Sequence, residues 1–459
     1  MSIPKCFCMK IKTLKNSLFI ACFLGMSFVS FGQSNNFLSR SELIKKAIDK
    51  SYLIANTNAE INKTRIDRYK TYQSYLPNIS INSSYTRLND DISMTLPTLK
   101  IPVSLPGLPP GFALEPSIPP IVLQNKNIFK TDVSASMLLF SGLKVPLLSK
   151  AAYHKELAEG YMIEKEEIDI MLEITDYYDR LALLDQSLIV LNDSKIRLDE
   201  ETAFAEKAYK VGLISAYDLS KIEIVKQELK AKLIDIDSKR KMIISKLNQM
   251  TDISKEELEN IHPSLEIWNI DISNTQVESR TELKSLKEAI YATDYSKKAD
   301  LTSYMPNVFA FSKKELYTKD LSALDPEWYV GVGLRWNILD GGQNYRNMQK
   351  TKLDLSIAQN NYHNTLSLLQ LNMEKSQYEL EEMNQLINVA SEKKNIAIKG
   401  LKISIKQYEL GLSNITERLA AETDYQNACL EYIQSIYQQR IACTKFLEAN
   451  GSLTIDKIN

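Results

Sequence analysis

Apolar and polar residues alternate along two short stretches of this chain. In the first, Phe129, Thr131, Val133, Ala135, Met137 and Leu139 interleave with Lys130, Asp132, Ser134 and Ser136, until the alternation closes on Leu138 and Phe140. In the second, Trp328, Val330, Val332, Leu334, Trp336 and Ile338 form one face, and Tyr329, Gly331, Gly333, Arg335 and Asn337 the other. Period two predicts strands with one apolar and one polar side. Asn78 to Arg87 and Asn307 to Phe311 supply partner strands, with Ile79, Ile81, Phe309 and Phe311 at alternate positions. The expected content is two hairpins, about four strands.

Elsewhere the period is helical. A charged, Leu/Ile-rich stretch runs from Gly142 to Gly212 with Gly160 as its one internal glycine. If continuous, it spans about 100 Å. After Gly212, Ile222, Leu229, Ile236, Ile243 and Met250 recur at sevens, which predicts coiled-coil packing. Ala421, Ala428, Ser435, Ala442 and Ala449 recur at sevens after Gly411. Large residues in one series and small ones in the other predict two faces of one interlocking wall.

These elements occur twice. Tyr75-Leu76-Pro77-Asn78 returns as Tyr304-Met305-Pro306-Asn307, 229 residues on. Leu139-Phe140-Ser141-Gly142 returns as Ile338-Leu339-Asp340-Gly341, and Tyr209-Lys210-Val211-Gly212-Leu213 as Tyr408-Glu409-Leu410-Gly411-Leu412, both 199 residues on. Three matches in order, with Gly142–Gly212 and Gly341–Gly411 both 70 residues apart, mark an internal duplication. The change of offset, 30 residues, places an insertion in the first copy. It is the Pro-rich stretch 96–121, which holds eight of the fourteen prolines and reads as an extended loop. The duplication divides the chain into a first repeat (33–250), a linker (251–280), a second repeat (281–450) and a short tail (451–459).

Trp328 and Trp336 stand on the same apolar face, about 26 Å apart along a strand. Aromatic girdles bracket an apolar band of about 25 Å on outer-membrane strands. Four strands cannot close a membrane barrel, and open edges in lipid cost several kcal/mol per unpaired backbone group. If these strands lie in a membrane, several chains share one barrel; otherwise they cover a soluble core.

The N-terminus favours the first reading. Lys5, Lys10, Lys12 and Lys15 precede an apolar run from Leu18 to Phe31 that ends in Val29-Ser30-Phe31-Gly32, the form of a secretory signal peptide over residues 1–32. Cleavage after Gly32 removes those four lysines and takes the net charge from −1 to −5. It also removes Cys6, Cys8 and Cys22. Cys429 and Cys443 remain, about 21 Å apart if helical, too far to bridge.

With 56 basic against 57 acidic residues, the charge balance points away from nucleic acid as a partner. No Walker, GxGxxG or HExxH pattern is present. His154, His262 and His363 are scattered, and carboxylate runs such as Glu164, Glu166, Glu167 and Asp169 read as a solvated helix face. No catalytic residue, metal site or cofactor is expected, and the chain does not read as an enzyme.

The duplicated Leu-Pro strand starts, the Phe-Ser-Gly and Leu-Asp-Gly-Gly strand ends and the paired [Val/Leu]-Gly-Leu turns resemble the TolC-type outer-membrane efflux proteins, over about Ser41 to Leu453. The resemblance implies a mostly α chain with a membrane β-barrel share. Three copies would form a twelve-stranded barrel in outer-membrane lipid, continued by a periplasmic helical tunnel. Such a homotrimer is a passive exit duct that docks on a periplasmic membrane-fusion adaptor and an inner-membrane transporter, RND or ABC type. Position by position, Val211, Gly212, Leu213, Leu410, Gly411 and Leu412 become the adaptor-contacting tips. Asp218 and Tyr408 match members of the tip-closing lock, and Glu417 matches a constriction carboxylate. Ser413 stands where the best-known members place an arginine, and Ala420 replaces a second carboxylate. The alternative from another class is a periplasmic or surface coiled-coil stalk, which needs the heptads but not the hairpins.

Overall fold

The computed structural model describes residues 38–97, 101–102, 106–107, 113–114, 119–271, 277–322 and 324–458. The signal peptide and most of the Pro-rich insertion lie outside these residues. The described chain opens on helices α1 (Arg40–Lys50) and α2 (Tyr52–Gln73), then strand β1 (Asn78–Arg87). Four short strands follow, β2 (Ile92–Met94), β3 (Ile101–Pro102), β4 (Ala113–Leu114) and β5 (Ile121–Gln124), and then the long β6 (Asn127–Phe140). Next come α3 (Lys144–Lys210), α4 (Ala216–Thr251), α5 (Lys255–Glu259) and α6 (Thr281–Leu301). The second hairpin is β7 (Asn307–Glu315) and β8 (Trp328–Arg335); α7 (Gln343–Glu409), α8 (Ile415–Ala449) and α9 (Ile455–Ile458) complete the chain.

The duplication is a duplication of structure. Helices α3 and α7 are each 67 continuous residues, about 100 Å of helix, and their ends are related by the offset of 199. Two residues in the left-handed conformation start each one: Gly142 and Leu143 in the first copy, Gly341 and Gly342 in the second. Pro146 falls in the first turn of α3, where a missing N–H breaks no helical bond.

The four principal strands form one antiparallel sheet in the order β1-β6-β7-β8, leaving β1 and β8 as edges. The alternation of the first copy fails at Leu138–Phe140 because a bulge lies there: Leu138 pairs with Phe309 and Phe140 with Val308, leaving Leu139 extra. The second alternating run is shorter than the pattern predicts. It stops at Arg335, paired with Asn307, because the next partner would be Pro306, which has no N–H to give. In compensation β7 runs on to Glu315. The Pro-rich insertion is not wholly loop: β2 pairs with β5, and β3 with β4.

Helix burial follows the heptads. Ile222, Leu229, Ile236 and Ile243 join Leu191 and Leu198 of α3 in the main core, together with Leu43, Ile44 and Ala47 of α1. The alanine series does not answer them. Ala442 packs with Leu380 of α7, Cys443 and Phe446, so the two series serve different long helices. Small residues on α8 admit the close approach of α7 rather than of α4.

Candidate channel entrance and membrane sheet

The two long helices turn in the same way. At the end of α3 the Leu213 N–H donates to the Ala208 carbonyl at 2.9 Å and the Gly212 N–H to that of Tyr209 at 3.0 Å. At the end of α7, Leu412 donates to Gln407 at 2.8 Å and Gly411 to Tyr408 at 3.0 Å. This double bond pattern needs a left-handed residue, and Gly212 and Gly411 supply it at φ +78° and +69°. The returning helices are capped at once. Ser215 and Asp218 form a reciprocal capping box, and the Asn414 side chain accepts the Glu417 N–H at 2.9 Å. Between cap and turn, Val211, Leu213, Leu410 and Leu412 are each at least 70% exposed, four apolar side chains held out on rigid turns.

Asp218, Tyr408 and Glu417 all lie beside these turns. The Asp218 carboxylate accepts from the Ser215 hydroxyl at 2.7 Å and its N–H at 3.1 Å, bonds that hold its pKa below the usual range. Glu417 accepts from the Asn414 amide at 3.3 Å. The Tyr408 ring meets Phe204 edge-on at 6.1 Å, and its hydroxyl has no hydrogen-bond partner among the described residues. Burial raises its pKa, with Glu201 and Asp218 adding to the shift.

Just above the turns lies a set of charges that sequence reasoning missed. Glu422 of α8, fully buried, accepts from Arg197 of α3 at 2.9 Å and faces Arg418 at 3.3 Å; Arg418, 2% exposed, also lies 3.3 Å from Glu201 of α3. Arg197 and Glu201, and likewise Arg418 and Glu422, are four apart on one helix, the spacing of an ordinary solvated pair. Nothing local distinguishes them from the many exposed pairs.

The sheet has two unlike faces. One carries Ile79, Ile81, Val133, Ala135, Trp328, Val330, Val332 and Leu334; its outer residues on β1 and β8 are strongly exposed. The other carries Asn82, Asp132, Ser134, Lys313 and Glu315, with Lys313 2.8 Å from Glu315 and 3.4 Å from Asp132. Phe309 and Phe311 belong to this second face, opposite to Ile79 and Ile81. Their rings lie over Gly333 and Gly331, whose added Cβ atoms would come within 2.5 and 2.7 Å of them. The Arg335 guanidinium sits 5.5 Å from the Phe309 centroid. Trp328 is on the apolar face; Trp336 lies just past the strand, its indole N–H donating to the Tyr304 carbonyl at 2.9 Å.

The described chain thus joins an open sheet with an exposed apolar face to two continuous 67-residue helices. The sequence profile described as "Outer membrane efflux protein" matches residues 277–452, which span all of the second repeat and a few residues on either side. No curated protein matches. Among solved structures, the fold is that of the Campylobacter jejuni CmeC outer membrane channel, with TM-score 0.70 and 15% identity over 90% of this chain and 85% of that one. The Vibrio cholerae outer membrane protein VceC gives TM-score 0.71 and 14% identity over 90% and 96%. The open state of the Neisseria gonorrhoeae MtrE channel gives 0.69 and 13% over 90% and 91%. The likeness at these identities is one of fold. Residues 277–452 thus carry the sequence pattern of the outer membrane efflux proteins, and the described chain has the fold of the outer-membrane channels to which it is similar.

Proposed function

We propose that three copies of this chain close one twelve-stranded barrel through edges β1 and β8 and serve as the passive exit duct of a tripartite system. A periplasmic membrane-fusion adaptor and an inner-membrane transporter, of RND or ABC type, would deliver the cargo. The sheet carries this reading: an apolar face fit for lipid is joined to two unpaired edges, which lipid does not tolerate unless other chains pair with them. Exposed apolar residues at heptad spacing, Val389, Ile396 and Ile403 on α7 and Ile189 and Ile196 on α3, fit helix packing between copies. Trp328 and Trp336 take the two lipid interfaces.

Val211, Gly212, Leu213, Leu410, Gly411 and Leu412 are assigned as the adaptor contacts, because they present apolar side chains on rigid turns at the free end of the helices. Asp218, Tyr408 and Glu417 are assigned to closure of the same end, and the repeats keep the bounds 33–250 and 281–450. The native mass of protein extracted from the outer membrane in mild detergent tests the assembly: a trimer is expected, and a monomer would overturn it. For the tips, Gly212→Trp with Gly411→Trp should abolish export while trimers still form. Normal export by that double variant would refute the tip assignment.

A further inference from the structure

The helices continue the sheet strand for strand. The sheet order is β1-β6-β7-β8, and the helices joined to those strands pack in the matching order, α2 on α3, α3 on α6 and α6 on α7. The three turns of each helix nearest the sheet therefore form one band, about 16 Å deep. It covers 63–73 on α2, 144–154 on α3, 291–301 on α6 and 343–353 on α7.

This band is strongly basic. Its four segments hold eleven basic residues against three acidic ones, Asp67, Asp294 and Asp300, in a chain with 56 basic and 57 acidic residues overall. The three turns at the opposite ends of the long hairpins (200–210, 216–226, 399–409 and 415–425) hold eight basic and nine acidic residues. Both bands are helical and of equal length, so helix propensity does not account for the excess. Lys150, Arg346, Lys350 and Lys352 are exposed and form no ion pair among the described residues.

Tyrosines share the band. Tyr69, Tyr72, Tyr153, Tyr291 and Tyr345 are exposed. Arg68 lies 5.4 Å from the Tyr153 centroid, and Lys150 and Lys298 lie 5.5 and 4.9 Å from that of Tyr295. At the joins between band and sheet, Leu76, Met305, Ile338 and Leu339 are exposed and apolar. From sheet to helix the surface thus runs from apolar to aromatic and cationic. That is the gradient of a membrane boundary, where tyrosine straddles the interface and Lys and Arg reach headgroup phosphates. A wall meeting only water has no use for exposed leucines and tyrosines beside its charges.

We propose that this band is a collar that binds anionic phospholipid headgroups of the leaflet facing the periplasm, with Lys150, Arg346, Lys350 and Lys352 on the phosphates. The proposal rests on the channel reading above and adds to it the class of lipid the protein selects. Basic residues clustered beside a membrane-embedded element attract anionic lipid, and salt screens the attraction.

The test uses Trp328 and Trp336 as reporters. The full-length protein is reconstituted in mixed phosphatidylcholine and phosphatidylglycerol bilayers, with bromine on the acyl chains of one lipid or the other. Tryptophan quenching then gives the ratio of the two lipids at the protein surface, and native mass and helical circular dichroism are measured alongside. Phosphatidylglycerol should be enriched several-fold at about 50 mM salt and fall towards parity at about 500 mM. Lys150→Gln, Arg346→Gln, Lys350→Gln and Lys352→Gln together should abolish the enrichment. Lys207→Gln, Lys210→Gln, Lys402→Gln and Lys406→Gln together, an equal loss of lysine charge at the far ends of the helices, should keep it. Equal quenching by the two lipids in the parent would overturn the collar and turn the band towards anionic cargo in the lumen. Enrichment that survives high salt, or that is lost in both four-residue variants, would overturn it too. Should the collar variant fail to assemble, the salt series on the parent decides. Absence of quenching by either lipid would instead count against the sheet lying in lipid, and so against the channel reading itself.

Discussion

Asp179 offers the most direct test of how the fold is held together. It is fully buried on α3, and its carboxylate faces two guanidiniums, Arg40 at 2.7 Å and Arg440 at 3.0 Å, themselves almost enclosed. Arg40 is further stacked on Tyr178 at 4.8 Å and Arg440 on Trp268 at 5.5 Å, so neither can turn to solvent without losing other contacts. Burial lowers the pKa of Arg40, with the nearby Arg440 charge acting in the same direction and Asp179 against it. Asp179→Ala leaves two like charges together without a counter-ion. Breaking a buried pair from one side costs about 3–5 kcal/mol, and two stranded cations place this case toward the upper end. Replacing all three residues with apolar ones of similar volume (Arg40→Met, Asp179→Leu, Arg440→Met) removes the stranded charge and should recover most of that loss. The assay is guanidinium unfolding followed by helical circular dichroism in detergent micelles, comparing parent, single and triple variants. If Asp179→Ala lies within about 1 kcal/mol of the parent, or the triple variant is no better than the single, the account of a charge-locked junction is wrong.

Two further outcomes follow from the same geometry. Gly333→Val should impair trimer formation, because its Cβ would come within 2.5 Å of the Phe309 ring; adding Phe309→Ala should restore trimer yield, and no rescue would refute the ring-over-glycine packing. Cys443 is buried, its thiol donating to the Trp268 carbonyl at 3.3 Å, and burial pushes its pKa up to about 12, with Asp179 adding and Arg440 opposing. The folded thiol stays neutral where the unfolded one ionises, so this site's contribution to stability is intact below the ordinary thiol value and is lost as pH rises through it towards about 12. Iodoacetamide at pH 8 should therefore label Cys443 only after unfolding, and rapid labelling of the native protein would contradict that burial.

Much of the molecule was legible in its sequence because the signals are local. Strand alternation, heptads and turn glycines act through the backbone or through near neighbours, so Gly212, Gly411 and the 199-residue offset read correctly without any tertiary information. The apolar face of β8 could be read the same way, since period two admits only two sides.

Tertiary structure decided what depends on register and on partners far along the chain. Phe309 and Phe311 look like members of the apolar face by composition. The pairing of Phe309 with Gly333 and Phe311 with Gly331 puts them on the polar side, over residues with no side chain of their own. Leu139 breaks its pattern only because β7 fixes a bulge there. The charges that join α3 to α8 come from residues more than 200 positions apart, at spacings that any exposed helix could carry. Periodicity tells which side of a helix is apolar; which charged residue is buried depends on the helix that comes to lie across it.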